Sequence, residues 1–219
     1  MILTLVKPKR VVIKSLINIS LKNTKLGKIP SFSLSSIDAC PGKTTWCESK
    51  CYADKIERIY KNAEIAYRYN LLQARTNKDF VLLMNTELSK LSKKGLKRFR
   101  WHVAGDFFSV KYIYDWINIV KANPEIIFYG YTRTWSISNM LPHLEALRCL
   151  PNVILFASTD ISTVGSIPSG WKEAWAGDVM PKKSKMLFCL EQAGHVKTCE
   201  QCGICFNPTS TANIYFETH

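Results

Sequence analysis

A chain of 219 residues with 47% hydrophobic content can bury a substantial core, and its 11% aromatic content excludes wholesale disorder. No apolar run approaches the ~20 residues that span a bilayer, and no signal-peptide pattern follows Met1, which argues against a membrane partner and for a cytoplasmic location. The net charge of +13 leaves two readings open: attraction to a polyanion such as nucleic acid, or a solubilising surface.

In chain order, Val11–Ser20 is an extended stretch, and residues 1–28 are expected to form an N-terminal arm or strand on a single domain of 1–219. Ile29–Leu34 alternates apolar and polar residues as a half-buried strand does, and delivers the chain into Cys40-Pro-Gly-Lys-Thr-Thr-Trp-Cys47-Glu-Ser-Lys-Cys51. From Asp54 the period becomes helical, with Ile56, Ile59, Tyr60, Ala63, Tyr67, Leu71 and Ala74 on one core-facing stripe. A second helix is expected over Lys78–Leu91, with Asn77 as N-cap and Gly95 as stop.

A strand–helix rhythm follows. Strands are expected at Phe99–Ala104, Ile126–Tyr131 and Val153–Ala157. The helical faces between them carry Tyr112, Ile113, Trp116, Ile117 and Val120, then Ile137, Met140, Leu141, Leu144 and Leu147. Residues 161–185 read as a long loop or irregular unit, with Trp171 and Trp175 on a short helix. Lys185–Cys189 and Ala212–Phe216 read as further strands. Repeated βα units imply an α/β fold, a partial or complete (β/α) TIM-like barrel, with cysteine-rich loops at the carboxyl ends of its strands. Residues 186–219 are its cysteine-rich C-terminal part.

Seven of the eight cysteines fall into two sets: Cys40, Cys47 and Cys51, and Cys189, Cys199, Cys202 and Cys205. Loop thiolates two or three residues apart converge readily on a metal, whereas disulfides need an oxidising compartment. The C-x2-C-x2-C run with a distant fourth thiol follows the ferredoxin pattern for a [4Fe–4S] cluster, so one or two such clusters are expected, with zinc as the alternative metal. Cys149 stands apart and reads as a small buried hydrophobe, His102 as a core histidine, and Trp46 as a shield over the centre.

Strand ends in parallel α/β folds carry ligand sites. Here they carry Gly105-Asp106, Thr132-Arg133-Thr134 and Ser158-Thr159-Asp160. Asp106, Arg133 and Asp160 are therefore candidate catalytic residues. Arg133 would grip a carboxylate or phosphate, and either aspartate would bind an amine or relay a proton. The competing reading makes both aspartates helix N-caps, with Arg133 paired to one of them.

The run from Ile29 through Cys40-Pro-Gly and Trp46-Cys47 to Cys51-Tyr52-Ala53, with Gly105–Ser109, Tyr131-Thr132-Arg133 and the last three cysteines, resembles phage and plasmid gene products. Their cysteine loop precedes a Cys-Tyr-Ala tripeptide. This resemblance implies a mobile-element protein and brings no activity with it. The chain also resembles, more loosely, the radical S-adenosylmethionine enzymes. That resemblance implies a partial barrel, a [4Fe–4S] cluster on Cys40, Cys47 and Cys51, and S-adenosylmethionine on the open iron with Gly105 and Asp106 as cofactor-binding residues. The spacing here is C-x6-C-x3-C with Tyr52 after the last cysteine, whereas that family has C-x3-C-x2-C with an aromatic residue before it. The expected function is thus an iron–sulfur redox or radical enzyme acting on a small-molecule or nucleic-acid substrate. The alternative is a basic nucleic-acid-binding protein stapled by zinc or a cluster.

Overall fold

The computed structural model describes residues 16–181 and 185–218; the expectations for residues 1–15 lie outside this range. In chain order the elements are β1 (Ile19–Ser20), β2 (Ser31–Phe32), α1 (Thr45–Ser49), α2 (Tyr52–Ile59), α3 (Lys61–Thr76), α4 (Phe80–Ser92), β3 (Arg98–Trp101), α5 (Val110–Ala122) and β4 (Ile127–Thr132). They continue with α6 (Leu141–Arg148), β5 (Val153–Thr159), β6 (Lys172–Gly177), β7 (Met186–Phe188), α7 (Cys199–Cys202) and β8 (Asn213–Glu217).

The fold is mixed α/β around one eight-stranded sheet of order β1-β2-β3-β4-β5-β6-β8-β7. Every pair is parallel except β1–β2. The complete barrel expected from the βα rhythm is not formed. The sheet is open, with β1 and β7 at its two ends and no pairing between them among the described residues.

Successive side chains on a strand point to opposite faces, and that alternation divides the molecule into two cores. On one face Phe32, Phe99, Trp101, Phe128 and Leu155 pack against Leu71 and Ala74 of α3, Phe80, Met84 and Leu88 of α4, Trp116 and Val120 of α5, and Leu144 and Leu147 of α6. Trp116 is fully buried and meets the rings of Phe32, Phe80, Phe99, Trp101, Tyr112 and Phe128. Truncating it to alanine would cost about 3–5 kcal/mol. The opposite face carries Tyr129, Ile154, Phe156, Ala174 and Ile214, which pack against Leu26, Ile29, Cys189 and Phe206. So α3–α6 occupy one face, and the cysteine-rich C-terminal part covers the other.

Several local expectations change. Residues 29–34 are buried at every position, because β2 lies between β1 and β3. The long helix from Asp54 is two helices, broken at Tyr60 (φ −109°, ψ 90°). Ile59 and Tyr60 are exposed at that break and leave the core-facing stripe. Asn77 caps the end of α3, and its Oδ1 accepts from the Asp79 N–H at 2.8 Å instead of starting α4 as its N-cap. The tryptophan pair at 171 and 175 leads into strand β6 and forms no helix. Cys149, expected to be buried, is exposed.

Candidate functional site

The first cysteine loop is bolted onto the carboxyl ends of β2 to β5. The Asp106 N–H donates to the Ala39 carbonyl at 2.9 Å, just before Cys40. A Cβ on Gly42 would stand 2.3 Å from the Arg133 carbonyl oxygen, so only glycine lets the loop approach β4 this closely. Thr44 caps α1, its Oγ1 accepting from the Cys47 N–H at 3.0 Å, and donates its own hydroxyl proton to Asp160 Oδ2 at 2.6 Å.

The second set is tied to the opposite side of the same space. Cys189 follows β7 directly, and its N–H donates to the Tyr215 carbonyl on β8. Thr198 caps α7, Gly203 ends it in the left-handed region at φ 78°, and the Cys199 N–H donates to the Lys25 carbonyl at 2.8 Å. Lys25 pairs with Glu191 at 2.9 Å, and Glu200 accepts from the Lys28 N–H.

Between these segments lies a cavity of about 560 Å3 lined by all seven clustered thiols: Cys40, Cys47, Cys51, Cys189, Cys199, Cys202 and Cys205. Both sets therefore border one space. Trp46 also lines it, and Cys149 does not. Among the described residues, no three His, Cys, Asp or Glu side chains form an ion-sized ligand group; the thiols surround the space instead.

Burial raises the Cys40 thiol, with Asp106, Cys47 and Cys51 adding to the effect. Burial raises Cys47 as well, against the pull of Arg133. Burial pushes Cys199 up to about 12, helped by Cys205 and Cys189, and pushes Cys205 up to about 11. A bound cation would reverse this, because coordination deprotonates thiols.

Gly105 and Asp106 both line the cavity. Gly105 has φ +80°, and a Cβ there would meet Leu34 Cβ at 2.7 Å, so it is required by the backbone. Asp106 is no N-cap. Its Oδ1 accepts from the Phe107 N–H and the Thr132 hydroxyl, both at 2.7 Å, and its Oδ2 from the N–H groups of Arg133 at 2.8 Å and Thr134 at 3.3 Å. Burial still holds its carboxyl above the usual range.

Arg133 lines the thiol cavity and pairs through Nη1 with Asp160 Oδ2 at 2.6 Å. Asp160 sits behind it, buried, and also accepts from the Ser162 N–H. A second cavity of about 350 Å3, with Ser136, Ser162 and Thr163 in its wall, shares Arg133 and Ser158 with the first.

Arg100 and Tyr131, which also line the thiol cavity, were not singled out from the sequence. The signal was present: in Phe99-Arg100-Trp101 the alternation places an arginine on the face opposite two core aromatics.

No helix among the described residues is long and apolar enough to cross a membrane. No solved structure matches the chain. It is 26% identical over 204 residues to the Gene 88 protein of Mycobacterium phage L5, covering 82% of each chain. It is 30% identical over 133 residues to the Gene 88 protein of Mycobacterium phage D29, covering 58% of this chain and 54% of that one. The profile of the family described as Gene product 88 matches residues 9–208, nearly the whole length, and the chain belongs to that phage family.

Proposed function

We propose that this chain is an iron–sulfur protein, holding one or two [4Fe–4S] clusters in the thiol cavity and serving as a redox or radical S-adenosylmethionine-like enzyme. The observation that carries the reading is the gathering of seven thiols, from two segments far apart in sequence, around one cavity beside the sheet. Sulfur-only donor sets select thiophilic centres, and buried thiols with raised pKa values are stabilised by the positive charge a metal supplies. In this reading Cys40, Cys47 and Cys51 hold one cluster with an open iron, and the four C-terminal thiols hold another. Such clusters supply one-electron chemistry when bound.

The chain's own residues would position the substrate. Arg133 is anchored by Asp160 and presents its remaining donors to a carboxylate or phosphate. Asp106, already engaged by four donors, orders the turn after β4 and offers a nearby amine an acceptor. The finer architecture in this proposal is a partial (β/α) barrel. Helices on one face of a sequentially ordered sheet leave the other face free for the cysteine-rich cover.

The test is iron, sulfide and zinc content, with a visible spectrum, on protein purified without oxygen. About four irons per chain means one cubane and about eight means two. Zinc without sulfide sinks the reading and leaves the basic, zinc-stapled nucleic-acid binder suggested by the +13 charge.

A further inference from the structure

The thiol cavity has unlike electrostatics on its two sides. On the N-terminal side Cys40 and Cys47 feel the buried Asp106, and the cation there, Arg133, is already matched by Asp160. On the C-terminal side stands Arg100, 7% exposed, in the middle of β3. Its Nη1 has no hydrogen-bond partner among the described residues, and its Nη2 reaches only the His102 carbonyl, at 3.4 Å. Among the described residues no ion pair joins a carboxylate to it, and residues 1–15 and 182–184 contain no Asp or Glu. The guanidinium lies 4.2 Å from the ring centroid of Tyr131 and 5.5 Å from that of Tyr129. Tyr131 in turn hydrogen-bonds Cys205.

A buried cation without a counter-anion is costly, and a negative group placed beside it removes that cost. Cys199 and Cys205 pack in the same core as Tyr129 and Tyr131, the two rings against which the guanidinium lies, so a negative charge on those sulfurs would be the counter-anion it lacks. Thiolates ligating a cluster are such an anion.

We propose that Arg100, acting with Tyr131, is the counter-cation of the cluster held by Cys189, Cys199, Cys202 and Cys205. It raises that cluster's reduction potential above that of the Cys40–Cys47–Cys51 centre. This rests on the iron–sulfur reading. One-electron reduction adds a negative charge, which a neighbouring cation in a poorly screened interior favours, and hydrogen bonds to cluster sulfurs act in the same direction. The first electron delivered to the protein therefore rests on the C-terminal centre, and the N-terminal one is reduced later. Arg100 and Tyr131 are positioning residues that act through the ligands.

The test is an anaerobic dithionite titration followed by electron paramagnetic resonance, on wild type, Arg100→Met, Arg100→Lys, Tyr131→Phe and Cys202→Ser, with iron and sulfide counted in each. In Arg100→Met one centre is expected to become about tenfold harder to reduce, which for one electron is about 59 mV. Arg100→Lys keeps most of the wild-type potential, and Tyr131→Phe gives a smaller shift of the same sign as Arg100→Met. The shifted signal is the one that Cys202→Ser removes. Unchanged potentials with full iron overturn the proposal, as does a shift in the centre that survives Cys202→Ser, or a single cluster per chain. If Arg100→Met does not fold, Tyr131→Phe and Arg100→Lys decide. Wild-type protein without iron overturns the iron–sulfur reading itself, an outcome that the metal count separates from the others.

Discussion

At the scale of single residues, His102 combines two costs. It has φ +48° without being glycine, and it is 4% exposed. Its Nε2 meets the Tyr112 hydroxyl at 3.0 Å, and its Nδ1 has no partner among the described residues. The sequence reading of a satisfied core histidine is thus correct for one nitrogen. Burial, reinforced by Arg100, lowers its pKa from 6.5 to about 3. Between those values the unfolded chain binds a proton that the folded chain excludes. The contribution to stability is therefore present above pH 6.5 and lost as pH falls toward 3. Asp106 works in the opposite sense: its pKa is raised, so its contribution is greatest in acid and fades as pH rises. His102→Asn keeps a side chain tolerant of positive φ and removes the titration. In urea unfolding of metal-free protein, the midpoint of this variant should fall less steeply than that of wild type from pH 6.5 downward. Parallel pH profiles would refute the assignment. Cys149 marks the limit of residue-scale reading: a lone cysteine two residues before a proline looks the same in sequence whether or not a neighbouring element covers it.

At the scale of elements, helical periodicity made α4 and α5 legible within a residue or two, and β4 and β5 were legible as short continuous apolar runs, because both of their faces are buried. Tyr60 defeated the same logic. A tyrosine at helical spacing looks like core, yet it sits at the break between α2 and α3 with 61% of its surface exposed. Trp171 and Trp175 failed for another reason: residues four apart share a face in a helix and in a strand alike, so their spacing does not discriminate. Two substitutions measure these distinctions. Tyr60→Ala should leave thermal stability within about 0.5 kcal/mol of wild type, as exposed sites do. Gly105→Ala should cost about 2 kcal/mol or more, since the new Cβ must adopt φ +80° and meet both Leu34 Cβ and the Leu34 carbonyl. A neutral Gly105→Ala in differential scanning calorimetry would contradict the packing described for the turn after β3.

At the scale of the whole molecule, two thiol sets on one cavity followed from the rule that parallel sheets present ligands at strand ends, and the parallel sheet itself followed from the βα order. Closure did not follow, because successive βα units read identically in an open sheet and in a barrel. The decision rests on whether the end strands β1 and β7 pair, and no local pattern in Ile19–Ser20 or Met186–Phe188 encodes that. If the thiols hold the proposed iron–sulfur centres, the two cores should also respond differently to removal of that metal. The aromatic layer under α3–α6 is packed apart from the thiols, whereas Cys189, Cys199 and Cys205 belong to the second core. Stripping metal should lower the melting temperature and speed hydrogen exchange in residues 40–52 and 189–206, leaving Trp116 and its neighbours protected. Uniform loss of protection would mean that the two cores unfold as one unit.

Glu200 accepts from the Lys28 N–H across 172 residues of sequence, beside the Cys199 contact with Lys25. During synthesis the helical layer leaves the ribosome well before this clasp can close. For that interval Cys40, Cys47 and Cys51 face solvent with one wall of their chamber missing. Long-range closures of this kind are slow, so the window in which these thiols are open to oxidation opens early and closes late. The order in which the chain emerges thus sets when the thiol chamber is sealed, and places that event at the end of folding.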